Sequence, residues 1–103
     1  MPKLYEYFGI VILFYANDHV PVHVHGKYQG KESKAELILE NGELVEIRIA
    51  SVKNKRPLDA KQLKDFETFV RYYAKDIVQK WIEFFVYNRA IQSETITRRI
   101  KND

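Results

Sequence analysis

From Phe8 to Tyr15 the chain reads FGIVILFY, with no polar residue after Gly9. A β-branched and aromatic run of this length predicts a strand covered on both faces, by the end of a long helix or by a second subunit. The turn-forming stretch NDHVP follows. Asn17 and Asp18 suit Asx-type turns, and Pro21 stiffens the exit. The pattern then alternates, with Val22, Val24 and Tyr28 on one face and His23, His25 and Lys27 on the other. Gly26 interrupts the apolar face and marks a bulge or a close approach of another element.

Residues 33–50, SKAELILENGELVEIRIA, read as a hairpin around Asn41-Gly42. A strict two-residue turn mixes the apolar and polar faces. A register one step longer pairs Leu39 with Val45, Leu37 with Ile47 and Ala35 with Ile49, so a three-residue loop or a bulge is expected. After the basic loop SVKNKRP, apolar residues at 63, 66, 70, 73, 77, 81 and 84 recur at helical spacing. Asp59 is the expected N-cap. One unbroken helix over 60–88 would run roughly 43 Å at about 1.5 Å per residue, long for this chain. A break near 74–76 is therefore expected, with Asp76 and Gln79 as a capping box. The polar tail 92–103 is expected to fray.

These elements predict an α+β fold in one domain, residues 1–91. An antiparallel sheet of about four strands precedes two C-terminal helices, or one kinked helix, packed on one face. The length of 103 residues suits one domain able to bury a core without staples. The absence of cysteine excludes disulfides and thiolate metal sites. The apolar run at 8–15 is too short to cross a bilayer, so no membrane association and a cytoplasmic location are expected. A formal net charge of +3 permits an acidic partner without demanding one.

All three histidines fall between residues 19 and 25. His23 and His25, two apart on a strand, send both rings from one face with Cβ atoms about 6.5–7 Å apart. Imidazoles so placed can converge on one divalent ion such as zinc, with His19 as a third nitrogen and Asp18 or Glu36 as an oxygen. The same histidines can serve without a cofactor as general acid and base on a phosphodiester, with Lys27 and Arg48 stabilising phosphate charge. Alternatively the motif builds a turn: Asp18 accepts backbone N–H groups and His23 and His25 line a sheet face. Lys53, Lys55, Arg56, Arg98, Arg99 and Lys101 either touch phosphates or are solvated. Phe84 and Phe85 are either core or a partner surface.

The stretch FGIVILFYANDHVPVHVHGKY resembles the start of a bacterial family catalogued as domain of unknown function 4160, with its strand followed by Asp-His-x-Pro-Pro-His-Phe-His. The matching residues are Phe8 to Ile12, Tyr15, Asp18, His19, Pro21, His23 and His25. Val22 and Val24 depart from the second proline and the phenylalanine. NGELVEI and FVRYYAKDIVQKW continue the likeness over residues 7–83. The resemblance implies a helix break before Asp76 and an association with toxin–antitoxin-like gene pairs; it implies no established activity. The leading expectation is a toxin–antitoxin-type component acting on RNA. His23 and His25 would be acid and base, Lys27 the phosphate stabiliser, and Asp18 and His19 the orienters. The alternative is a non-enzymatic module that binds a partner protein from a neighbouring gene through Phe84, Phe85 and an open sheet edge, or a homodimer. Third stands a metal-dependent hydrolase using His19, His23 and His25.

Overall fold

The computed structural model describes residues 2–101. Its elements are β1 (Lys3–Tyr7), β2 (Ile10–Leu13), β3 (His23–Tyr28), β4 (Lys31–Glu40), β5 (Glu43–Ser51), α1 (Ala60–Tyr72), α2 (Ala74–Phe85) and β6 (Glu94–Ile96). Among the described residues the strands form one sheet in the order β5-β4-β3-β2-β1-β6. All neighbours are antiparallel except β1 and β6. The expected α+β class holds, with six strands instead of about four.

The two added strands have separate causes. Phe8 and Gly9 do not open β2. Both have positive φ, 46° and 88°, and form a two-residue hairpin turn in which Tyr7 faces Ile10. Glycine adopts this conformation freely, and its twist suits a tight hairpin. The preceding residues Lys3–Tyr7 therefore fold back as β1. The second addition comes from the tail expected to fray. Glu94–Ile96 pair in parallel with β1, and the Ile100 N–H donates to the Tyr7 hydroxyl at 3.0 Å. A three-residue strand carries no readable period; it forms because β1 offers an open edge. Residues 102 and 103 of that tail lie outside the described residues.

The β4–β5 hairpin has both features weighed from the pattern. Asn41 and Gly42 form a two-residue turn with Glu40 opposite Glu43 and Leu39 opposite Leu44. A bulge then shifts the register so that Leu37 meets Ile47 and Ala35 meets Ile49. The extra residue, Val45, restores the apolar face that a regular ladder would lose.

Tyr5, Tyr7, Ile12, Val24, Ala35 and Leu37 are buried with Phe66, Phe69, Val70, Ile77 and Trp81 of the helices. Tyr5 and Tyr7 each place their rings 4.9 Å from that of Phe69. Gly26 lies where helix and sheet approach most closely, since a Cβ there would stand 2.7 Å from the Phe66 ring. Of the two roles expected for it, close approach is the one the fold uses. The helix breaks at Tyr73, one residue before the expected region. The capping box does not form: Asp76 lies inside the first turn of α2, where it accepts a hydrogen bond from the Tyr5 hydroxyl and pairs with Lys80 at 3.1 Å. Asp59 takes the N-cap position of α1 without a side-chain cap bond; its carboxylate binds Lys31 at 2.7 Å instead.

On the opposite face of the sheet, beside Leu13, His25 and Glu32 are almost wholly buried. What lies across this part of the face is the chain's own 15–21 loop, whose Tyr15 ring sits 4.5 Å from that of His25. No helix among the described residues is long and apolar enough to cross a membrane.

Candidate functional site

β3 starts at His23, so His23 and His25 leave the same side of the strand, as the alternation predicts. The loop between β2 and β3 returns Asp18 to them. Its carboxylate is fixed locally: Oδ2 accepts the Tyr15 N–H at 2.9 Å, and the Asp18 N–H donates to the Tyr15 carbonyl at 3.0 Å. Asp18 Oδ1 then lies 3.3 Å from His23 Nε2, and Oδ2 lies 3.6 Å from His25 Nε2.

The far side of each ring is also tied. His23 Nδ1 lies 2.8 Å from the Pro21 carbonyl, which only accepts, so the ring carries its proton there. His25 Nδ1 lies 3.0 Å from Glu32 Oε2, which also accepts the Tyr15 hydroxyl at 3.0 Å. In the state where both rings are neutral and carry the proton on Nδ1, two Nε2 lone pairs face the Asp18 carboxylate. Acceptors then face acceptors. His25 Nε2 and Glu32 Oε1 are buried without any hydrogen-bond partner.

Burial pushes the His25 imidazole below its ordinary value, and His23 adds to this, against the pull of the Asp18 and Glu32 carboxylates. Burial and the bond to Glu32 push the Tyr15 phenol up to about 12, so it remains a donor. The neutral state leaves two negative carboxylates in a nearly enclosed cluster. Among the described residues their ion-pair partners are these two histidines alone, with no lysine or arginine.

One ligand atom each from Asp18, His23 and His25 lies within 4.8 Å of the others, a separation compatible with a shared metal ion. Tetrahedral bonds of about 2.0–2.1 Å place neighbouring ligands about 3.3–3.4 Å apart; His23 Nε2 lies at that distance from Asp18 Oδ1, while His25 Nε2 meets the other oxygen, Oδ2, at 3.6 Å. The histidine-to-carboxylate and histidine-to-carbonyl bonds behind the Nε2 atoms are those that orient metal-binding imidazoles.

The other sequence candidates stand elsewhere. His19 is exposed and outside this converging group. Lys27 shares the face and lies opposite Glu32 in the ladder, but no ion pair joins it to the cluster. Glu36 lies opposite His23 and pairs loosely with Lys34 at 3.9 Å. Arg48 is exposed and pairs with Glu46. Phe84 and Phe85 are half-buried against Phe14, with ring centroids at 6.3 and 5.6 Å. A cavity of about 770 Å³ between the β4–β5 turn and the α1–α2 junction has no histidine in its lining.

Sequence reasoning passed over Glu32. A two-residue turn at Gln29-Gly30 sets Tyr28 opposite Lys31 and Lys27 opposite Glu32, and so brings Glu32 to the histidine face. The Gln-Gly pair was the available signal.

The class defined is a small α+β protein with a buried His–His–carboxylate cluster clamped between a sheet and the loop that crosses it. The family model described as Domain of unknown function (DUF4160) matches residues 9–82, and the chain belongs to that family. No curated protein and no solved structure matches it.

Proposed function

We propose that the protein is a metal-dependent hydrolase whose divalent cation, of the zinc class, is held by Asp18, His23 and His25. The observation that carries this reading is that one ligand atom each from Asp18, His23 and His25 lies within 4.8 Å of the others, in a nearly enclosed cluster. A divalent ion satisfies both Nε2 lone pairs and the carboxylate at once. It also balances the charges of Asp18 and Glu32. A proton on either ring would relieve only one of the two contacts.

The donor set favours catalysis over a purely structural role. Structural zinc sites fill four positions, mostly with cysteine, whereas catalytic sites use three protein ligands, often all nitrogen and oxygen, and keep a position for water. Water bound there is acidified and becomes a nucleophile near neutral pH. Lys34, opposite His25 in the ladder, and Lys27 stand on the same sheet face and suit an anionic substrate. A phosphodiester, including RNA, would fit that chemistry: a bond from the water oxygen to phosphorus would form as the ester P–O bond breaks, and the leaving oxygen would take up the proton that the water gave up. His23 and His25 then act as ligands, in place of the acid–base roles expected from the sequence.

The test is calorimetric titration of untagged, metal-stripped protein with zinc, followed by hydrolysis of bis(p-nitrophenyl) phosphate and of a mixed RNA. One equivalent should bind, Asp18→Asn and His23→Ala should abolish binding, and His19→Ala should leave it unchanged. Hydrolysis should require the added metal. Failure to bind would remove the proposal. RNA cleavage in the presence of chelator, lost in the His23→Ala, His25→Ala double variant, would return the histidines to acid–base work.

A further inference from the structure

The outer edge of the sheet at β5 is open: β4 lies on one side and, among the described residues, no strand lies on the other. It is nine residues long, ELVEIRIAS. Natural edge strands are kept from pairing by being short, by charged side chains (lysine above all), by proline or by bulges. The opposite edge follows that rule, since β6 has three residues. β5 has neither proline nor lysine, and its one irregularity is the bulge at Val45. It is also apolar beyond what the core uses. Val45 is 54% and Leu44 38% exposed, while Ile47 and Ile49 pack against the core only in part.

Its charges also suit pairing with a second copy of the strand. Glu46 and Arg48 flank Ile47, exposed and paired with each other at 2.9 and 3.2 Å. Two copies of an edge strand that pair antiparallel are related by a twofold axis perpendicular to the sheet. Opposed residues then share a face, so the axis passes through a residue of the strand. An axis at Glu46 opposes two acids, and one at Arg48 opposes two guanidinium groups. An axis at Ile47 sets Glu46 against Arg48 twice and Ile47 against Ile47, on the regular part of the strand beyond the bulge at Val45. It is the one register in which acid meets base and apolar meets apolar along this segment.

We propose that this protein forms a homodimer through antiparallel pairing of β5 with β5 of a second copy, centred on Ile47. The pairing joins the two sheets into one, extends the apolar strip of Ile47 and Ile49 across the junction, and closes the assembly because each copy uses the one long open edge found among the described residues. The contact lies at the small end of specific interfaces, so the dimer is concentration-dependent. It is independent of the metal reading and leaves the histidine cluster within each copy.

Sedimentation velocity on the full chain, from roughly 10 μM to 1 mM, together with amide shifts over the same range, tests it. The wild type should pass from monomer to dimer, with concentration-dependent shifts confined to Glu43–Ser51. Arg48→Glu should weaken association at least about tenfold, since it opposes like charges across the axis. The double exchange Glu46→Arg, Arg48→Glu should restore it, because it recreates acid against base. Circular dichroism confirms that each variant folds, and the wild-type shifts give an answer that needs no variant. A wild type monomeric throughout, shifts mapping elsewhere, or an Arg48→Glu protein that dimerises as well as wild type would each overturn the proposal.

Discussion

The Glu32 carboxylate of β4 accepts the Nδ1 proton of His25 at 3.0 Å from a position diagonal to it across the β3–β4 ladder. This contact fixes the ring so that Nε2 turns to Asp18. Residues that orient a metal-binding imidazole this way typically contribute about 10–100-fold to metal affinity. Glu32→Gln should therefore lower zinc affinity by about that factor, measured by calorimetry. Tyr15→Phe, which leaves the histidine bond intact, should have a smaller effect.

Gly26 should be intolerant of a side chain. A Cβ would stand 2.7 Å from the Phe66 ring, which is itself fully buried. Overpacking of this kind costs about 1–3 kcal/mol. Gly26→Ala should show that loss in urea denaturation, and combining it with Phe66→Leu should recover part of it. If Gly26→Ala is as stable as wild type, helix and sheet are packed less closely than described.

Tyr5 makes stability fall in alkali. Burial, with the hydrogen bond and charge of Asp76, raises its ionisation well above the ordinary tyrosine range; Glu94 and Tyr73 act in the same direction. The folded state thus holds the phenolic proton more tightly than the unfolded chain. The resulting stabilisation is fully present below about pH 10, the unfolded value, and is lost as pH rises toward the folded one. Denaturant midpoints measured from pH 8 to 11 should decline in wild type and decline less in Tyr5→Phe. Equal slopes would remove Tyr5 as the cause.

The tail should stabilise the sheet edge. Beyond β6, Arg99 pairs with Asp65 at 3.1 Å and lies 4.0 Å from the centroid of the Phe8 ring. Lys80 bridges Asp76 and Glu94 at 3.1 Å each. A chain ending at Ser93 should lose hydrogen-exchange protection at β1 amides. Its melting temperature should fall by about 4–8 °C for each kcal/mol lost. Unchanged β1 protection would mean that the tail does not hold the edge.

Much of this fold was written in local pattern. The helical spacing of Phe66, Val70, Ile77 and Trp81, the alternation of His23 and His25, and the Asn41-Gly42 turn each follow from the backbone geometry of a few neighbouring residues. Such geometry is set by short-range sterics, so a single sequence carries it. The same alternation was enough to put two imidazoles on one face.

The rest depended on partners distant in sequence. Glu32 joins the site only because a Gln29-Gly30 turn fixes the β3–β4 register. Asp18 arrives, and His19 stays exposed, because of how one loop crosses a sheet face; adjacent residues on a loop need not share a direction. Tyr5 binds Asp76 across 71 residues, and Glu94–Ile96 become a strand only because β1 presents an edge. These contacts gain their free energy from surfaces brought together after the local elements form. Sequence alone therefore determined which elements exist and which residue types they offer; the tertiary structure decided which of them meet.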